Sequence, residues 1–428
     1  TTSSLAPYDA LVLLSFGGPD EPADVLPFMR NVTRGKNIPE ERLVEVSRHY
    51  DLFGGRSPIN GHNRELIDAL RAELDRRGID VPVGWGNRNW APYTPDALAG
   101  LRDGGAHRVL AIVTSAYGSF SGCRQYRENI AASLRELGAT SATGDDGSAG
   151  IVVDKLRHYA THPGFVQANV DAVVEAYAEL ADRTAEAADA PLLFVTHSIP
   201  TTMEEASGAQ RPSYRTQHLE VAALVAAGVE ERLGRAVGWS LAYCSRSGPP
   251  SQPWLEPDVN DVLTERAAAG MHAVVMAPLG FVSDHMEVVF DLDTEAMATA
   301  RSLGVEAVRA GSASTRAPFV EGLVDLVLER AAAERGEDPE RVTVGSLGPW
   351  PDVCLPGCCR MRAGVDSGVP AACGSDGEPA EGDAAGDAPA PGGTGVPAPH
   401  GGHPGARPTD VRQTHDDRAG SGTGARHA

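Results

Sequence analysis

Three carboxylates recur at four-residue intervals in the stretch GFVSDHMEVVFDLDTEA: Glu287, Asp291 and Glu295, with Asp284, His285 and Asp293 beside them. On an α-helix each such step is about 400° of rotation and about 6 Å of rise, so the three acids climb one face. Like charges at that spacing destabilise a helix by roughly 0.2–0.5 kcal/mol per pair. No Lys or Arg lies between Phe281 and Ala300 to offset them. Asp284 is placed to act as an N-cap with Glu287 closing a capping box, which accounts for the first acid and for neither of the others. A solvated acidic face is the competing reading, but the interleaved Val288, Val289 and Phe290 indicate a partly buried helix. Carboxylates so placed shift their pKa upward or hold a cation. Hard oxygens joined by one imidazole suit a divalent first-row metal that must later be released. His197, directly after the apolar run PLLFVT, supplies such an imidazole, able to exchange protons at cellular pH or to bind metal. A histidine at the end of a strand serves equally well as a hydrogen-bonded structural residue.

The elements that must carry these groups alternate in type. Short apolar runs (ALVLLSFGG, VPVGWGNRNW, HRVLAIVTSAY, PLLFVTHSIP, AVGWSLAYCSRSG, MHAVVMAPLGF) are separated by helical patterns such as GHNRELIDALRAELDRRG and SYRTQHLEVAALVAAGVEERLG, with a final helix near 317–335. The runs are continuously apolar, as parallel strands covered on both faces require. The fold class is therefore α/β, with two doubly wound Rossmann-like halves at 7–156 and 157–336. Ligands of such sheets sit beyond the carboxyl ends of the strands. That places SFGGPDEP, TSAYGSFSG, THSIP, SRSGPP and GFVSDHMEV around the expected site.

Composition narrows the partners. A net charge of −21 argues against nucleic acid or an anionic membrane surface. No apolar run reaches the roughly 18 residues of a membrane-spanning helix, and the first residues lack the basic and apolar regions of a signal peptide, so a cytoplasmic, non-spanning chain is expected. The first strand is followed by SFGGP, which fits neither the dinucleotide fingerprint nor a P-loop, and NAD and ATP are discounted. Arg34, Lys36, His49, Tyr50, Arg56 and Ser57 fall in loop-like surroundings and together can pair with an anionic ligand. Six cysteines, three of them in CLPGCC, suit metal better than a disulfide framework. Cys244, in the apolar run WSLAYC, is read as a core residue. Residues 337–360 form a Cys-rich extension. From 361 to 428 the chain is Gly, Pro, Ala and Asp with almost no large apolar residue, and is expected to be a disordered tail.

LLSFGGPDEP, YDLFGGRSPING, GNRNWAPY, THSIP, SRSGPPSQPWLEPD and GFVSDHMEVVFDLDTEA occur in the order and approximate spacing of ferrochelatases, a resemblance that covers residues 7 to 335. It implies a chelatase-type pair of halves and insertion of Fe²⁺, a substrate, into a porphyrin held between them. His197 and Glu287 then face the macrocycle as the catalytic pair, and both, with Asp291 and Glu295, mark the Fe²⁺ path. The chemistry agrees: two pyrrole N–H protons must leave and a dehydrated metal must arrive, which needs a base, a weak metal relay and an apolar slot.

The TSAYGSFSGCRQY loop and the Cys-rich end resemble actinobacterial coproporphyrin III ferrochelatases. That implies coproporphyrin III as substrate and, as a partner, the coprohaem decarboxylase that follows in haem biosynthesis; protoporphyrin IX is the alternative substrate, and a non-catalytic tetrapyrrole-binding or iron–sulfur sensor protein the alternative class. The chain is expected to act as a monomer. By the same resemblance Phe16, Arg34, His49, Tyr50, Ser57 and Tyr126 contact the porphyrin. Phe16 stands where some bacterial relatives carry an iron-ligating tyrosine, and His49 where some carry arginine. Cys123, Cys354, Cys358 and Cys359 resemble the four-thiolate set of cluster-bearing members, which suits [2Fe–2S] or Zn; Cys373 is an alternative to Cys358 or Cys359.

Overall fold

The computed structural model describes residues 5–35, 37–138, 150–207, 211–247, 251–365 and 368–375. Two parallel four-stranded sheets are built by the same rule. In the first, β1 (Ala10–Ser15), β2 (Val83–Asn87), β3 (Arg108–Val113) and β4 (Val152–Lys155) lie in the order β2-β1-β3-β4. In the second, β5 (Leu192–His197), β6 (Trp239–Cys244), β7 (Ala273–Ala277) and β8 (Glu306–Arg309) lie in the order β6-β5-β7-β8. Each sheet reverses its winding between its first and third strands, so each has a switch point there, with a crevice at its carboxyl edge. The central strands are buried throughout: every residue of β1 and of β7 is inaccessible, as two covered faces demand.

Two of the strands escape the sequence reading. β4 and β8 are four-residue edge strands, and each has a partly exposed face that breaks the apolar run. The expected helices form at Ile59–Arg76, Tyr214–Leu233 and Ala317–Glu334. The last of these packs on the helix Pro163–Arg183, which also packs on Tyr214–Leu233, and the three share one apolar core with inward faces of both sheets, including Leu13, Leu110, Phe165, Phe194, Val275 and Phe319. A core common to both sheets fixes one against the other.

After Ala317–Glu334 the chain returns across the first sheet. Val344 N donates to Thr161 O at 2.9 Å, and the buried Arg157 bridges Glu329 at 2.6 Å and the carbonyl of Val342 at 2.9 Å. Part of the expected tail is folded as well. Ala372 N donates to Arg127 O at 3.0 Å and Ser375 N to Cys354 O at 2.9 Å, so the packed chain runs past residue 361, held by backbone hydrogen bonds that a composition count does not register. The rest of that tail, and Lys36, lie outside the described residues. Among the described residues no helix is long and apolar enough to cross a membrane.

Candidate active site

His197 ends β5, in register with Cys244 at the end of β6, and the turn after β7 brings the acidic stretch over it. That turn is tight. Gly280 N donates to Val195 O at 3.2 Å, and a Cβ at Gly280 would lie 2.0 Å from the Thr196 hydroxyl oxygen, so only glycine lets the chain pass this close to β5. Behind His197, the Tyr214 hydroxyl donates to the His197 carbonyl at 3.2 Å and meets the buried Thr196 Oγ1 at 2.8 Å, which fixes the strand end.

The acidic helix is not the α-helix its spacing suggests. One α-turn, Met286–Val288, opens into a π-helix over Val289–Ala296. Its N-cap is His285, whose Nδ1 accepts from Glu287 N at 3.2 Å, and not Asp284. Asp284 is drawn off by Arg309 of β8, which pairs with it at 2.8 Å. A π-turn closes at the fifth residue, so a four-residue step falls just short of a full turn and the acids still share a side.

His197 Nε2 lies 3.4 Å from Glu287 Oε2, and Nδ1 donates to the carbonyl of Ser198, which fixes the tautomer. Burial pushes the imidazole down, but the Glu287 carboxylate, aided by the Ser198 carbonyl, outweighs it and raises His197 to about 9. Burial also raises Asp291 to about 6, with Glu287 and Glu295 adding to the effect, although the Ser245 hydroxyl donates to the carboxylate. Ser245 reaches it from a left-handed conformation, φ 63°, directly after β6. Glu295 is exposed at the far end. His197, Glu287 and Asp291 are thus brought together, with Glu295 continuing outward. Among the described residues no group of three or more His, Cys, Asp or Glu, the cysteines included, is arranged to hold a metal ion.

An apolar cluster lies beside the pair. Val25, Phe28, Met29, Leu43, Tyr50 and Met286 form one buried cluster, with Trp90, Val289 and Phe290 packed against it. Tyr50 is buried in this cluster, and burial together with Glu287 raises its phenol. His49 stacks on Phe290 with centroids 3.9 Å apart. Phe16 is 39% exposed and packs edge-on against Phe28. Ser57 is buried under Gly18, and Arg34 is exposed, bonded to Asn31 at 2.9 Å. Tyr126 is buried beneath Arg88, a residue the sequence reading does not single out although it lies in GNRNWAPY. The Arg88 guanidinium lies 4.9 Å from the Tyr126 ring centre and 5.8 Å from that of Phe16, and burial lowers its pKa. Its position, directly after a strand, is the signal that could have found it.

Cys123 lies in a second π-turn, Phe120–Arg124, and shares a buried cluster with Cys354, Cys358 and Cys359. The Cys123–Cys354 sulfurs are 3.8 Å apart and the Cys358–Cys359 sulfurs 3.6 Å. Two thiolates on one tetrahedral metal at about 2.3 Å stand about 3.8 Å apart, a spacing that each of these two pairs matches separately. Hydrogen bonds from Cys123 and Cys358 stabilise a thiolate at Cys354, while Cys123 is pushed up to about 12. Cys373 stands outside this set, its thiol donating to Val153 O at 3.2 Å. Cys244 is buried in the core of the second sheet.

Two doubly wound parallel sheets, the second carrying a His–Glu pair and an acidic helix at the carboxyl edge of β5 and β7, are the architecture of an α/β enzyme. The Ferrochelatase family model matches residues 8–331, and the chain belongs to that family. It is 52% identical over 377 residues to the coproporphyrin III ferrochelatase of Streptomyces coelicolor, covering 87% of this chain and 97% of that one. The relative of the same description from Streptomyces griseus subsp. griseus is 52% identical over 376 residues, covering 87% and 97%, and that from Leifsonia xyli subsp. xyli 50% over 379 residues, covering 85% and 94%.

Proposed function

We propose that this ferrochelatase-family enzyme inserts Fe²⁺ into coproporphyrin III, with His197 and Glu287 as the catalytic pair. The observation that carries the reading is the 3.4 Å His197–Glu287 contact beside an apolar cluster, continued by Asp291 and Glu295. The overall reaction exchanges two pyrrole protons for one Fe²⁺. In the resting pair His197 holds a proton against Glu287. A dication arriving at Glu287 lowers the affinity of the imidazole for that proton, which leaves through Asp291; the bare Nε2 then takes one pyrrole proton, passes it out by the same route, and takes the second. Asp291, raised to about 6, exchanges protons near neutrality.

The porphyrin lies against Phe16, His49, Tyr50 and Phe290. Its carboxylates are met by Arg34 and Ser57 and, in addition, by Arg88 backed by Tyr126, because a guanidinium stacked between aromatic rings favours an anion it can hold with its fork. The relatives named for coproporphyrin III support four carboxylates as the substrate's recognition feature. The halves 7–156 and 157–336 each supply one wall of the site, and the chain acts as a cytoplasmic monomer that hands its product to a coprohaem decarboxylase. The four thiols hold a [2Fe–2S] cluster through Cys123, Cys354, Cys358 and Cys359, with Lys155 and Arg127 as neighbouring cations. Such a cluster supplies a cross-link between the 120s turn and the extension, and metal insertion needs no electron from it.

The deciding experiment mixes the purified protein anaerobically with Fe²⁺ and either coproporphyrin III or protoporphyrin IX and follows the metalloporphyrin spectrum. Faster insertion into coproporphyrin III is expected. Equal rates on both would overturn the substrate assignment, and no insertion into either would overturn the enzymatic role of the pair.

A further inference from the structure

The acidic helix passes over the carboxyl edge of the second sheet, and its carboxylates are sorted by the edge strand they face. Toward β6, Asp291 meets a neutral hydroxyl, Ser245. Toward β8, Asp284 and Asp293 meet one guanidinium. Arg309 donates from Nη1 and Nη2 to the two oxygens of Asp284 at 3.2 and 2.8 Å, and from Nε and Nη2 to those of Asp293 at 2.5 and 3.0 Å. Nη1 also donates to the Ala310 carbonyl at 3.2 Å, which leaves the fork no rotational freedom. The Arg309 and Asp284 side chains are only 15% and 16% exposed, whereas Glu287 is 53% exposed. A carboxylate held through both oxygens by a cation has its orientation fixed and part of its charge offset, which makes it a weaker ligand for a metal, and the guanidinium repels a second cation.

We propose that Arg309 is a positioning residue that divides the acids of this helix into two sets: Asp284 and Asp293, clamped on one guanidinium and turned away from metal, and Glu287, Asp291 and Glu295, which form a single file for the incoming dication. The inference rests on the metal-insertion reading above. Without Arg309, the freed pair competes with the file for the metal.

Arg309→Met tests this. Co²⁺ uptake by the porphyrin-free holoprotein, measured by equilibrium dialysis, should rise by about one ion per chain, and the KM for Fe²⁺ should rise about fivefold or more while that for coproporphyrin III stays within about twofold. Adding Asp284→Asn and Asp293→Asn to that variant should abolish the extra ion and restore the KM for Fe²⁺, which a purely structural loss would not do. Unchanged Co²⁺ uptake in folded Arg309→Met, or a triple variant that fails to recover, overturns the proposal. Should Arg309→Met not fold, Arg309→Gln, which keeps hydrogen bonds without the charge, carries the same expectations and the same refuting outcomes. The dialysis needs no turnover, so an inactive wild type would sink the insertion reading while leaving this measurement interpretable.

Discussion

The proton on His197 is held there by Glu287. Burial works against the charge, so the raised value of about 9 depends on the carboxylate 3.4 Å away. In Glu287→Gln the midpoint of the His197 imidazole, read by NMR, should fall to the ordinary value of about 6.5 or below. A midpoint that stays near 9 would show that another group holds the proton. Because the folded value is raised, the pair contributes stability that is fully present below about pH 6.5 and is lost as pH rises through about 9. Thermal melts across that window should therefore slope downward in the wild type and flatten in the variant. In catalysis, Glu287→Gln should slow insertion by about 100-fold or more and Glu295→Gln by less than about fivefold, since the exposed end of the file lies furthest from the pair. Similar losses in both variants would contradict that order. Asp291 carries the opposite sign to a salt-bridged acid. Its carboxyl is raised to about 6 by burial, so its ionisation withdraws stability as pH climbs from about 4 to 6, and insertion should weaken below about pH 6 as the file is protonated. Asp291→Asn should remove that acid limb from the rate profile.

At the scale of elements, the site depends on a turn and a widened helix. Gly280 lets the β7 turn pass against Thr196, and a methyl group there would meet the Thr196 hydroxyl oxygen at 2.0 Å and its Cβ at 2.6 Å. Gly280→Ala should destabilise the fold by about 1–3 kcal/mol and shift Glu287 away from His197, seen as a lowered melting temperature together with a lowered His197 midpoint. A variant with wild-type stability and midpoint would show that the turn has slack. The π-helix was not legible from the spacing, because a four-residue repeat fits an α-helix nearly as well and its extra width is set by what it packs against. The cap was misassigned for a related reason. Asp284 is a good N-cap residue, but Arg309 lies on an edge strand too short and too exposed to be read from the sequence, and in the fold it competes successfully for the carboxylate.

At the scale of the whole molecule, the C-terminal extension closes over the first sheet. Trp350 packs on Gly118 and edge-on to His158, Ala372 N donates to the Arg127 carbonyl while Arg127 Nε donates to the Ala372 carbonyl, and the four thiols cluster together. Cys354→Ser should therefore lose the acid-labile sulfide of the proposed cluster and expose residues 340–375 to limited proteolysis. Protection equal to that of the wild type would mean that hydrogen bonds alone hold the extension.

The sequence by itself determined the class of fold, since continuous apolar runs alternating with amphipathic segments have few other ways to bury their faces. It also determined the chemistry-bearing types: an imidazole at a strand end, acids in file, thiols in CLPGCC. Tertiary structure alone decided which of these act together. His197 and Glu287 are 90 positions apart, and they meet because β5 and β7 lie side by side in the second sheet and both chains leave it at the same edge. Arg88, Ser245 and Arg309 gain their roles only from what is packed around them. The residues that tune a site are ordinary in type, and burial and distance, which a linear chain does not carry, give them their roles.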